Sequence, residues 1–111
     1  MHSLSRPRRQ LVRLMQHLQF GWIGGLLVVK GEPQLQPKLR IVRTIALGLD
    51  AAAPMTPRTR DFALKHTVKA LFDLFDRKQS LSIERLDVQH GLPSRIQFDD
   101  QSAWQMLETI E

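Results

Sequence analysis

The chain has 111 residues, 42% of them hydrophobic, a formal net charge of +5 and no cysteine. That length fits one domain spanning 1–111, able to bury roughly two thirds of the surface its unfolded form exposes. The missing thiols exclude a disulfide framework, a thiolate zinc site and a cysteine nucleophile.

Arg6, Arg8 and Arg9 precede an apolar-looking stretch and could pass for a twin-arginine export signal. Arg13, Gln16, His17 and Gln19 interrupt that stretch, and the apolar run from Trp22 to Val29 is too short to span a bilayer. The expectation is a cytoplasmic protein with no membrane partner.

Residues 8–20 read as an amphipathic helix, with Leu11, Leu14, Met15 and Leu18 on one stripe. Ser5 is placed to cap it, Pro7 lies in its first turn, and Gly21 is placed to close it. Ile23 to Lys30 is β-branched and apolar and reads as a strand, followed by a turn at Gly31-Glu32-Pro33. Leu39 to Leu47 reads as the returning strand, with Leu39, Ile41, Ile45 and Leu47 on one face. Gln34 to Pro37 adds a short extended piece before it. Residues 48–58 carry two prolines and an alanine run and read as a mobile loop.

A second helix starts near Thr56-Pro57 or Thr59, with Leu64, Val68, Leu71, Phe72 and Phe75 as its apolar stripe. Asp61/Lys65 and Lys69/Asp73 pair across one turn, and Arg77 and Lys78 suit its C-terminal dipole. Ile83 to His90 reads as a strand, Gly91-Leu92-Pro93 as a turn and Arg95 to Phe98 as the returning strand. Asp99 or Asp100 caps a last short helix carrying Ala103, Trp104, Leu107 and Ile110.

The order α-β-β-α-β-β-α contains an apparent repeat, 4–47 and 64–98. Ile23, Leu26, Val28, Gly31 and Pro33 recur 60 residues later as Ile83, Leu86, Val88, Gly91 and Pro93. The same offset aligns Leu11, Val12, Leu14 and Met15 with Leu71, Phe72, Leu74 and Phe75. The fold expected is α+β: a pseudo-two-fold pair of α-β-β units, with the helices on one face of a mainly antiparallel sheet. The phrases F-G-W-I and H-G-L-P resemble those of small bacterial proteins, a likeness that carries no function.

No catalytic, metal or cofactor signature is present. His2, His17, His66 and His90 form no helical pair, and there is no phosphate-binding or nucleophile-elbow glycine motif. Asp73 and Asp76 have Lys69 and Arg77 as neighbours, and Asp99-Asp100 suits a helix cap. Gly24-Gly25 inside a strand marks a bulge or a close backbone approach.

Two features stand out. In the second unit Leu86 and Val88 alternate with Asp87 and Gln89, a strand with one wet face. In the first unit Leu27 and Val29 occupy the outward positions. With Val42 beside them they form a candidate self-association face, unless Trp104 and Leu107 fold back over it. Charge is also uneven. Residues 1–60 carry ten Lys and Arg against two acidic residues, net +8, whereas residues 61–111 carry six against nine, net −3. Arg6, Arg9 and Arg13 share a helix face, and Lys38 and Arg40 extend the patch.

The expectation is a non-enzymatic binding module forming a homodimer through Leu27, Val29 and Val42. The alternative is sequence-independent nucleic-acid binding through Arg6, Arg9, Arg13, Lys38 and Arg40, or docking of an acidic protein there. No Tyr or Phe stacking set on a strand accompanies that basic half, and no helix-turn-helix signature is present.

Overall fold

In the computed structural model, which describes residues 4–35, 39–47, 57–100 and 106–108, the first helix α1 (Arg6–Leu18) starts at Ser5. The Ser5 hydroxyl oxygen accepts the Arg8 N–H at 3.3 Å, and Pro7 lies in the first turn, where no intrahelical donor is needed. Leu11, Met15 and Leu18 are buried and Leu14 is half-buried. The helix closes at Gln19, which has a positive φ (66°), not at Gly21 as expected: the Gln19 N–H donates to the Met15 carbonyl at 3.0 Å, and Gly21 already belongs to the first strand.

Five strands form one antiparallel sheet: β1 (Gly21–Val29), β2 (Glu32–Gln34), β3 (Arg40–Arg43), β4 (Leu81–Gln89) and β5 (Leu92–Phe98). β1 and β4 are central. β5 lies beyond β4, and β2 and β3 share the other edge of β1, at opposite ends of it. The second helix, α2 (Pro57–Lys78), joins β3 to β4. Residues 106–108 are helical.

The single returning strand expected over 39–47 is therefore corrected to two pieces. β2 pairs Glu32–Gln34 with Leu27–Val29, and β3 pairs Arg40–Arg43 with Gly21–Gly24. Pairing ends at Thr44, whose N–H donates to the Phe20 carbonyl at 2.8 Å, because β1 begins at Gly21 and offers no partner beyond it. Ile45 and Leu47 are consequently exposed. Of the expected loop 48–58, residues 48–56 lie outside the described residues, and 57–58 already belong to α2. In the expected last helix, Ala103, Trp104 and Ile110 also lie outside them, while Leu107 is exposed.

Both helices pack on one sheet face. Leu11, Met15 and Leu18 of α1 and Leu71, Phe72 and Phe75 of α2 close over Ile23, Leu26, Val28, Ile83, Leu86 and Val88. The inward positions of β1 switch parity at Gly24-Gly25, and those of β4 at Glu84-Arg85, so that Ile23 and Leu26 both face the core, as do Ile83 and Leu86.

Corresponding details recur 60 residues apart. Gln79 closes α2 at φ 59°, its N–H donating to Phe75 at 2.8 Å. Lys30-Gly31 (φ 53° and 78°) and His90-Gly91 (φ 55° and 76°) make the two hairpin turns with both φ values positive, the type I′ pattern. Val28 pairs with Pro33, and Val88 with Pro93.

The two turns also bond crosswise to the two helix ends: Gly31 N–H donates to the Gln79 carbonyl at 2.8 Å, and Gly91 N–H to the Gln19 carbonyl at 2.9 Å.

Candidate functional site: the outer sheet face

With both helices on the inner face, the outer face is lined by side chains that alternate away from the core. Neither α1 nor α2 packs on it. Register places these side chains in rows, since residues directly opposite one another share a face. The first row runs Val42, Trp22, Asp87, Arg95, and the second runs Arg40, Gly24, Arg85, Gln97. Beyond the parity switch, Gln34, Leu27 and Ser82 form a third row, followed by Val29, whose register partner Glu32 turns its carboxylate to Ser5 and Arg8 at the start of α1.

The parity switch divides the face chemically. At one end Leu27 and Val29 are 45% and 46% exposed. Val42 does not join them. It is half-buried opposite Trp22, five residues along β1 from Leu27, a span of roughly 15 Å.

At the other end stands a cationic cluster built on one aromatic ring. The Arg40 and Arg85 guanidinium groups, from strands on opposite sides of β1, lie 5.4 and 5.0 Å from the Trp22 ring centroid. The ring leans along β1 over Gly24, where an added Cβ would lie 2.7 Å from Trp22 Cζ3. Asp87 accepts from Arg85 Nε at 2.7 Å and from Arg95 Nε at 3.2 Å. Those two arginines explain why an outward-facing Asp87 is only 9% exposed. Three guanidinium groups and one carboxylate leave this end positive.

The basic patch expected from the sequence is split by the sheet. Arg6, Arg9 and Arg13 are exposed and, with Gln10, line one shallow depression on the solvent side of α1. Arg40 points from the opposite sheet face, so it does not extend that patch, and Lys38 lies outside the described residues. Arg8, adjacent in sequence, has a structural role. Its guanidinium donates to the Gly31 carbonyl at 2.8 Å and to Asp76 at 2.6 Å, lies 3.6 Å from Glu32 and stacks 5.1 Å from the Phe72 ring centroid. Asp76 thus pairs with Arg8, not with Arg77 as expected, while Asp73 pairs with Lys69 at 2.8 Å. That exposed pair raises the Lys69 pKa, through the hydrogen bond first and Coulombic attraction second.

Among the described residues the histidines do not converge with acidic groups. His17 and His66 are exposed, His66 stacking on Phe62, and His90 sits in its turn edge-on to Phe20 at 4.9 Å. Among the described residues no three His, Asp or Glu side chains gather to hold a metal. A depression of about 380 Å³ beside the end of α1 is lined by Leu18, Phe20, Ile45 and their neighbours; its arginine, Arg43, donates to the His17 carbonyl at 3.1 Å.

The sequence reading missed Trp22, Arg85, Asp87 and Arg95 as a group, because three strands separated in sequence bring them together. The one local signal was Trp22 two residues before a glycine in a strand, a bulky ring beside a gap it can cover. Comparison with protein-family models, curated proteins and solved structures finds no match for this chain.

Proposed function

We propose that this chain is a non-enzymatic binding module, cytoplasmic, that pairs with a second copy of itself through the Leu27–Val29 end of its outer sheet face. The observation that carries this reading is the exposure of those two side chains on the sheet face opposite both α1 and α2. Water-exposed apolar groups clustered on an open sheet gain by meeting an equivalent surface, and two-fold pairing is the simplest closed arrangement. An axis through this end points the two arginine-rich ends away from each other, so their like charges do not oppose contact. The patch is small, which makes the pair weak and dependent on concentration.

In the same reading the fold is two copies of one α-β-β unit related by a pseudo-two-fold axis between β1 and β4. The reciprocal Gly31–Gln79 and Gly91–Gln19 bonds, the matching turns and the shared 60-residue offset support it. The units have diverged: the first has its return strand in two pieces, and the second carries the longer helix.

Light scattering over a concentration series tests the pairing. The parent is expected to approach twice the chain mass as concentration rises. Leu27→Asp with Val29→Gln, which copies the second unit's outward residues, is expected to stay folded and monomeric. A parent that remains monomeric throughout would remove the basis for this function.

A further inference from the structure

We propose that the other end of the outer face, formed by Trp22, Arg40, Arg85 and Arg95, binds the phosphodiester backbone of nucleic acid without reading its sequence. This does not rest on self-association, since the cluster lies at the far end of β1 from Leu27 and Val29.

Three observations lead there. The first is arrangement. Arg40, Arg85 and Arg95 come from β3, β4 and β5 and face the same side. Neighbouring strands lie about 4.8 Å apart, so the backbone positions of Arg40 and Arg85, in one row, are roughly 10 Å apart, and Arg95, one row along and sharing Asp87 with Arg85, continues a bent line of cations across the sheet. A line of cations suits a repeating anion better than a single one.

The second is preorganisation. Arg85 is fixed by stacking on Trp22 and by its Nε bond to Asp87, Arg95 by its own Nε bond to Asp87, and Arg40 by stacking. Arg85 and Arg95 each spend Nε on Asp87 and have their terminal nitrogens left to meet an oxyanion. An arginine already held in place loses less side-chain freedom on binding. By contrast, no side-chain hydrogen bond or ion pair among the described residues holds Arg6, Arg9 or Arg13.

The third is what the cluster lacks. Its apolar groups, Trp22 and the Val42 opposite it, are both half-buried, and Trp22 is flanked by two guanidinium groups. A folded protein partner needs an apolar centre at its interface, whereas a phosphate backbone needs only cations. Among the described residues of this end Gln97, opposite Arg85, is the one amide and Trp22 the one aromatic ring, too few to read a run of base edges, so binding is independent of sequence. The stacked guanidinium planes can in addition receive unstacked bases, which favours a single strand over a duplex.

Fluorescence anisotropy of a labelled mixed-sequence single-stranded oligonucleotide, titrated with the full chain over a salt series, tests this. The parent is expected to bind, with affinity falling as salt rises. Arg40→Gln with Arg95→Gln keeps Arg85 on Asp87. It is expected to lower affinity about tenfold and to reduce the salt slope by about 1.4, from two contacts at ~0.7 each. Should that pair unfold in a thermal melt, Arg40→Gln alone is expected to reduce the slope by about 0.7. Arg6→Gln with Arg9→Gln and Arg13→Gln, on the helix side, is expected to keep the parent's slope, and a duplex of the same sequence to bind more weakly.

Three results would each overturn the proposal: no oligonucleotide binding at low salt, a slope lowered only by the helix-side variant, or a polyglutamate peptide binding as tightly as the oligonucleotide. The last would assign the cluster to an acidic protein.

Discussion

The backbone N–H of Gly31, in the first hairpin turn, donates to the carbonyl oxygen of Gln79, the residue that closes the second helix, at 2.8 Å. Gly91 does the same for Gln19 at 2.9 Å. A helix end leaves carbonyl groups without partners, and here the carbonyl of each closing residue, Gln79 and Gln19, is satisfied by a hairpin turn remote from it in sequence. The bond ties the halves together at two places on either side of the β1–β4 pair. Gly31 and Gly91 have φ of 78° and 76°, where a Cβ costs about 1–2 kcal/mol. Gly31→Ala and Gly91→Ala are each expected to lose about that much stability in urea unfolding. Gly31→Ala is expected to lose more, because its Cβ would also press within 3.3 Å of Arg8 Nη2. Unchanged midpoints would mean the turns do not hold the halves together.

Arg8 reinforces the same junction, reaching from α1 to the Gly31 carbonyl, Glu32 and Asp76 with 14% of its side chain exposed. Arg8→Met keeps the stem's packing and removes the charge-assisted bonds, an expected loss of about 1.5–3 kcal/mol. Asp76→Asn is expected to cost under about 1 kcal/mol, because that carboxylate is 60% exposed and water replaces the arginine. Equal losses for the two variants, measured by chemical denaturation, would contradict this division.

Much of the core was legible because it is periodic. Leu11, Met15 and Leu18 repeat at helical spacing and are buried; so are Leu71, Phe72 and Phe75. The I-x-x-L-x-V spacing likewise named the inward residues of both central strands, although the parity switch between Ile23 and Leu26 is not a simple alternation. The length of β3 was not legible. Ile45 and Leu47 continue the alternation of Leu39 and Ile41, but a strand extends only as far as its neighbour, and β1 stops at Gly21. The candidate site was hidden for a related reason. Counting charge along the chain groups Arg40 with Arg6, Arg9 and Arg13, yet the sheet stands between them. Arg85 and Arg95 sit in the acidic half, and only strand order brings Arg85 beside Trp22 and Arg95 next to it across Asp87.

Gly24 is where the ring of Trp22 rests. A Cβ there would lie 2.7 Å from Trp22 Cζ3 and 3.2 Å from the Glu84 carbonyl oxygen, so Gly24→Ala must move the ring away from Arg40 and Arg85. An expected cost of about 1–3 kcal/mol accompanies the overpacking. In a Trp104→Phe background, where Trp22 is the one remaining tryptophan, Gly24→Ala is expected to shift the emission maximum to longer wavelength as water reaches the ring. An unshifted spectrum would mean the ring does not lie over Gly24.

The chain's lack of cysteine allows a single thiol to report on the proposed pairing. Leu27→Cys places it at the centre of the proposed contact, and Arg13→Cys places one on the solvent side of α1. After mild oxidation at a concentration where the parent pairs, Leu27→Cys is expected to run largely as a covalent dimer on a non-reducing gel. Arg13→Cys is expected to stay monomeric under the same conditions. Equal or faster crosslinking at Arg13→Cys would contradict self-association through the outer face.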